Sequence, residues 1–247
     1  MRKQLVLIMA CLALVPSHGW ARDAAADPAR APSAARPAAA ESIGFPNRGS
    51  LAGGVELKPS ETIVTHGAYL WGLPALVRLV EHAASRVAGA NDGAVLVVGD
   101  LSAREGGPIK GHDSHESGRD VDLSFYLLRG DEDYLADDHL VIERDGRARK
   151  DKTVRFDDAR NWQLVEALLS FGGARVQQIF VANHLRKRLL SEGRRAGAEK
   201  SVLARAASVL CQPKKARPHD DHFHVRIRCP KGQKKCIHGP APRRRGR

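Results

Sequence analysis

The sequence predicts an α+β domain in which a central antiparallel sheet carries a polar site on one face and helices pack on the other. Two segments carry most of that expectation. From Val121 to Leu128, Leu123, Phe125 and Leu127 fall on one side of an extended chain, and Asp122, Ser124 and Tyr126 on the other. The alternation repeats after His222, with Phe223, Val225 and Ile227 opposed to His222, His224 and Arg226. The third observation is a helical period: Leu76, Leu79, Val80, Ala83 and Val87 recur on one helix face as far as Gly89.

In chain order, Arg2 and Lys3 precede an apolar run from Leu5 to Val15, Pro16 breaks it, and Gly19 and Ala21 occupy small-residue positions. Residues 1–21 therefore read as a secretory signal peptide, too short in its apolar part to remain as a membrane anchor. Residues 22–41 are Ala, Pro, Arg and Asp with almost no large apolar side chain, a linker that cannot bury enough surface to order itself. The domain runs from 42 to 236. Its opening glycines, around Gly49 to Gly54, suit turns between short strands, and Pro74 suits the first position of the helix that follows. Ala94 to Val98 reads as a buried strand between Gly93 and Gly99.

Residues 129–155 are polar and charged, a surface excursion with a hairpin through His139 to Arg144. Asp158 is placed to cap a helix through Trp162, Val165, Leu168 and Leu169. A strand over 176–181 and helices near 185–192 and 200–210 complete the elements. Trp71 and Trp162 are expected in the core. The last segment, 237–247, ends in Arg243, Arg244, Arg245 and Arg247 and reads as a solvated basic tail.

Lys and Arg exceed Asp and Glu by 40 to 28, a net charge of +12, which favours polyanionic partners. Nucleic acid is disfavoured, because no aromatic residues interleave with the basic clusters. Export permits disulfides, and three cysteines follow the signal peptide: Cys211, Cys229 and Cys236. Either Cys229 bridges locally to Cys236 or Cys211 ties a helix to the strand ending near Cys229. One cysteine remains over.

Five of the eleven histidines fall in two short Asp-rich clusters, His112 and His115 in one, His219, His222 and His224 in the other. A cluster of titratable groups calls for an ion or a reaction. If the two strands are neighbours, His115, Asp122 and His224 converge, and two imidazoles, one carboxylate and an open water position describe catalytic zinc, Zn2+. His222, on the same face as His224, reaches the water without ligating and suits a general base. His112 and His219 are suited to polarising a carbonyl or stabilising an oxyanion, and His112 also to binding metal. Asp220 and Asp221 can orient imidazoles or cap a turn, Arg119 and Asp120 are expected to pair with each other, and Arg226 to meet a substrate carboxylate.

Ser114 to Asp122, His219 to Arg226 and Cys229-Pro230, with Val98 to Leu101 and Gly106-Gly107-Pro108 upstream, resemble the penicillin-insensitive murein endopeptidases. These are relatives of lysostaphin and the D-Ala-D-Ala carboxypeptidases. The resemblance spans about residues 42 to 236 and implies zinc held by His115, Asp122 and His224, with His222 as base and His112 and His219 in support. It further implies a periplasmic enzyme that hydrolyses the D-alanyl to diaminopimelate crosslink of peptidoglycan. Ser50 departs from the family where some members carry cysteine, as does the short Arg-rich C-terminus. The competing expectations are a D,D-carboxypeptidase or dipeptidase with the same residues, and a non-catalytic wall-binding module.

Overall fold

The computed structural model describes residues 39–214 and 216–241. They open with a hairpin of β1 (Glu41–Phe45) and β2 (Arg48–Ala52), followed by the short strands β3 (Val55–Glu56), β4 (Ile63–Thr65) and β5 (Trp71–Gly72). Helix α1 (Pro74–Ala88) begins at its proline, whose fixed φ suits a first turn and whose missing N–H would have had no partner there. Leu76, Leu79, Val80, Ala83 and Val87 are all buried along it. Next come β6 (Leu96–Val98), β7 (Asp120–Ser124), the hairpin β8 (Leu127–Arg129) and β9 (Glu132–Tyr134), and β10 (Val154–Phe156). The chain ends with α2 (Asp158–Ser170), β11 (Val176–Phe180), α3 (Asn183–Arg195), α4 (Lys200–Val209), β12 (Leu210–Cys211) and β13 (His222–Ile227).

Six strands form the central sheet in the order β12-β11-β13-β7-β6-β4. Its inner pairs are antiparallel, but β12 runs parallel to β11 and β4 parallel to β6, so the sheet is mixed where a wholly antiparallel one was expected. The reason lies in the connections. Parallel neighbours need a long crossover, and α1 supplies one between β4 and β6, as α3 and α4 do between β11 and β12. Val121, Leu123, Phe223 and Val225, on the apolar face of β7 and β13, share one core with Leu76, Leu79, Trp162 and Leu185 from the helices.

The extended run expected to reach Leu128 stops at Ser124, and Leu127 resumes in a separate sheet of order β10-β8-β9. Buried Asn161 of α2 is responsible: its Oδ1 accepts from the Tyr126 N–H at 3.0 Å and its Nδ2 donates to the Tyr126 carbonyl at 2.8 Å. Those backbone groups are thereby withdrawn from the ladder. The hairpin of the 129–155 excursion lies at its start, over β8 and β9, while His139 to Arg144 leads only into a single bridge between Ile142 and Ala148. The cap of α2 is Asp157, which accepts from the Arg160 N–H. Asp158 pairs instead with Arg188.

Cys229 bridges to Cys236, and Cys211 is free. The alternative pairing fails on topology, since Cys211 lies on the edge strand β12 with β11 between it and β13. The closed loop also docks on the first hairpin, with Gly44 N–H donating to the Lys235 carbonyl and Ile237 N–H to the Gly44 carbonyl. Ala241 is buried and donates to Asn47 Oδ1, so the segment assigned to a solvated tail packs on the domain at least to 241. Likewise Glu41, placed at the end of the linker, pairs with Ala52 in β1. The expected signal peptide, the linker before residue 39 and the terminal arginines lie outside the described residues. No helix among the described residues is long and apolar enough to cross a membrane.

Candidate metal centre

Antiparallel pairing of β7 and β13 places His224 opposite Asp122, His222 opposite Ser124 and Arg226 opposite Asp120. The polar faces of the two strands therefore coincide. A loop over 111–119 brings His112 and His115 above them, and His115 takes a left-handed backbone conformation, φ 74°, uncommon for any residue but glycine. Gly118 closes the loop at φ 71°, with Leu51 so near that a Cβ would approach its Cδ1 at 2.6 Å.

His115 Nε2, His224 Nδ1 and Asp122 Oδ1 stand at the corners of a triangle with each edge 3.3 Å. The opposite nitrogen of each imidazole is occupied. His115 Nδ1 donates to the Leu101 carbonyl at 2.6 Å, and His224 Nε2 donates to the buried carboxylate of Asp120 at 2.8 Å. In the neutral tautomers these bonds select, a lone pair on each ring faces Asp122 Oδ1, itself buried without a hydrogen bond. His112 Nε2 meets Asp100 Oδ2 at 3.0 Å, and its Nδ1 lies 3.4 Å from Asp122 Oδ2. His112, His115 and Asp122 each offer a ligand atom within 4.8 Å of the others, a group able to hold a metal ion.

Burial alone would raise the Asp122 carboxyl, but His115, His222 and His224 hold it well below the usual range. The same contest is settled the same way at Asp120, by the Arg226 guanidinium at 2.5 Å and by His224. His224 in turn is raised: burial works against its charge and the two aspartates overcome it. Lone pairs and carboxylates thus form a pocket that favours positive charge.

His222 sits beside this set. Its Nε2 is 3.5 Å from Asp122 Oδ1 and its Nδ1 2.7 Å from Asp221 Oδ1, the latter a charge contact, close but not aligned as a hydrogen bond. Burial opposes its protonation, yet the two carboxylates push it up to about 10. His219 is moved the other way, down to about 4, by burial and by the neighbouring His224 and His222. A cleft of about 800 Å³ opens over these rings, bordered by Phe180, Gln178 and Arg217.

A family model described as penicillin-insensitive murein endopeptidase matches residues 42–246. The chain belongs to that family. A protein of that name from Klebsiella pneumoniae (strain 342) is 29% identical over 241 residues, 93% of this chain and 80% of that protein. One from Escherichia coli O157:H7 is 28% identical over 218 residues, 83% of this chain and 73% of the relative. Membership of this murein endopeptidase family makes the chain a peptidase by descent.

All six histidines and aspartates that sequence reasoning singled out as ligands or catalytic groups border one cleft: His112, His115, Asp122, His219, His222 and His224. Three further residues were missed in their roles. Asp120 pairs with Arg226 and His224, whereas Arg119 turns to the Ile237 carbonyl and Cys229 Sγ, so the expected Arg119–Asp120 pair is replaced. The i, i+2 alternation, which sets Asp120 on the face of Asp122, carried that signal. Asp100 orients His112 from the end of β6. His139, from the excursion, stacks on His222, and nothing local in the sequence indicates it.

Proposed function

We propose that this chain is a zinc-dependent endopeptidase that hydrolyses D-alanyl to diaminopimelate crosslinks of peptidoglycan, working in the periplasm after export. The observation that carries the metal is the 3.3 Å triangle. Tetrahedral bonds of about 2.0–2.1 Å space their ligands roughly 3.3–3.4 Å apart, a spacing that these three atoms match. His115, Asp122 and His224 would hold the ion, with His112 near enough to join the set. When bound, zinc supplies Lewis acidity, polarising a carbonyl and lowering the pKa of water to about 7.

The remaining steps fall to side chains. With Asp122, one of the two carboxylates that raise His222, engaged by the ion, His222 Nε2 would accept the proton of the attacking water and return it to the departing amine, while Asp221 stays in charge contact with the opposite edge of the ring. His219 donates from Nδ1 to the Arg217 carbonyl at 2.9 Å, so its neutral ring leaves Nε2 as an acceptor, and stabilising an oxyanion from there would require the ring to be protonated. Among the described residues the free thiol is Cys211, which does not line the cleft and which burial raises, so it does not compete for the role of nucleophile. The relatives' shared name, and a cleft of this size beside a proton-transferring histidine, support an oligomeric wall substrate.

The test is incubation of the mature chain with crosslinked peptidoglycan, with and without a chelator, followed by mass spectrometry. Crosslinked dimers converting to monomers in a chelator-sensitive way is the expected result, and the new termini name the bond. Release of free D-alanine instead would make the chain a D,D-carboxypeptidase, and binding without release a wall-binding module. His222→Ala should lower turnover by roughly 10²- to 10⁴-fold with zinc content unchanged. Full turnover in that variant would remove His222 from the base role.

A further inference from the structure

With His222 taken as the base, as proposed above, we infer that His139 is a positioning residue that fixes the plane of the His222 ring, and that Ser124 and Gly99 hold it there. The two imidazoles are stacked, with centroids 4.5 Å apart and planes inclined by 27°. Around His222 the other contacts are Asp221 at Nδ1, Asp122 near Nε2, and the tilted ring of His219 with its centroid at 5.0 Å. None of these prevents the ring from turning about its Cβ–Cγ bond, since neither carboxylate makes an aligned hydrogen bond to it. A flat partner at stacking distance does, because rotation would drive a ring edge into its face.

The fold takes specific measures to put His139 there. Ser124 is the residue directly opposite His222 in the β7–β13 pair, and its Oγ lies 3.0 Å from His139 Nδ1. The strand partner of the base thus carries the anchor for the base's neighbour. On the far side, Gly99 leaves room for the ring: a Cβ there would stand 3.1 Å from His139 Nε2 and 3.3 Å from the Cβ of Asp122, so the ring would have to give by a few tenths of an ångström. The segment bearing His139 is pinned by buried Ala136 and Ile142, and Ile142 N–H donates to the carbonyl of Asp220, beside Asp221. This otherwise polar excursion therefore contributes one ring to the site.

Four variants of the zinc-loaded mature chain separate this inference from the proposed function on which it rests: His222→Ala, His139→Ala, His139→Phe and Ser124→Ala. On a crosslinked muropeptide dimer, His139→Ala is expected to lower kcat by about 10²-fold, the scale of a misplaced catalytic group, with KM and zinc content unchanged. His139→Phe, which keeps a flat ring, should recover most of that loss, and Ser124→Ala should fall between. In spectra of labelled histidine, the Cε1–H resonance of His222 should shift when the stacked ring is removed by His139→Ala and return towards its position in His139→Phe.

A wild-type kcat in His139→Ala, with His222→Ala inactive, would overturn the positioning role and leave the proposed function standing. Equal activity of His222→Ala and wild type would overturn the base assignment and the inference together. If His139→Ala loses metal or unfolds, His139→Phe decides: near-normal kcat supports a stacking role, and a kcat as low as that of His222→Ala overturns it.

Discussion

The hydrogen bond from His224 Nε2 to Asp120 decides which of its nitrogens faces Asp122, and it does so from a fully buried carboxylate that Arg226 also holds. Orientation by such a partner raises ligand basicity and prevents the ring from turning its protonated edge towards the ion. Asp120→Asn should therefore weaken zinc binding about 10- to 100-fold, measured by chelator competition, with little change in the far-ultraviolet spectrum. The same residues make the metal-free protein sensitive to pH. The folded pKa of Asp120 lies below its ordinary value of 3.8, so its contribution is present above that range and lost as the pH falls. That of His222, up at about 10, lies above its ordinary value of 6.5, so its contribution is full below 6.5 and lost as the pH rises through about 10. Thermal unfolding of metal-free protein should show a plateau from about 4 to 6.5 and a decline towards pH 9 and above. The zinc-loaded protein should lack the alkaline decline, because the ion rather than a proton on His222 then offsets the charge of Asp122.

At the scale of elements, the break between β7 and β8 separates strands that a continuous period would have joined. Asn161, fully buried in α2, bonds both backbone groups of Tyr126 and also donates to the Asp157 carbonyl. It thereby fixes where the central sheet ends and the three-stranded sheet begins. Asn161→Ala would leave the buried Tyr126 N–H unpaired, while its carbonyl keeps the Asp157 N–H at 3.1 Å, at a cost of about 1–3 kcal/mol. The denaturant midpoint should fall with an unchanged slope. A midpoint like that of wild type would mean that water reaches that N–H.

Across the whole molecule, the two ends of the described chain meet. The loop closed by Cys229 and Cys236 pairs with the first hairpin, Lys235 meets Glu41 at 3.0 Å, and Arg119 reaches the Ile237 carbonyl from beneath the site loop. The bridge therefore holds the C-terminal segment against the loop that presents His115, without touching the metal set. Cys229→Ser with Cys236→Ser should cost about 2–3 kcal/mol for a loop of this length, read from thermal unfolding. Zinc stoichiometry should remain as in the wild type. Loss of zinc on reduction would instead show that the bridge shapes the site loop directly.

What the sequence determined by itself is what repeats locally. Alternation at i, i+2 told which face His222, His224 and Asp122 share, and the 3.6-residue period with Pro74 placed α1 almost to the residue. Both follow from backbone geometry within a few residues, as does the clustering of histidine and aspartate that marked the site. Tertiary structure decided what depends on partners distant in the chain. The parallel edges of the sheet come from helical crossovers, the pairing of Asp120 with Arg226 from the register of two strands 100 residues apart, and the choice of Cys236 over Cys211 from the strand that intervenes. His139 is the clearest instance. It sits in a polar stretch with no period, and only the meeting of Ser124, Gly99 and His222 in space gives its ring a place.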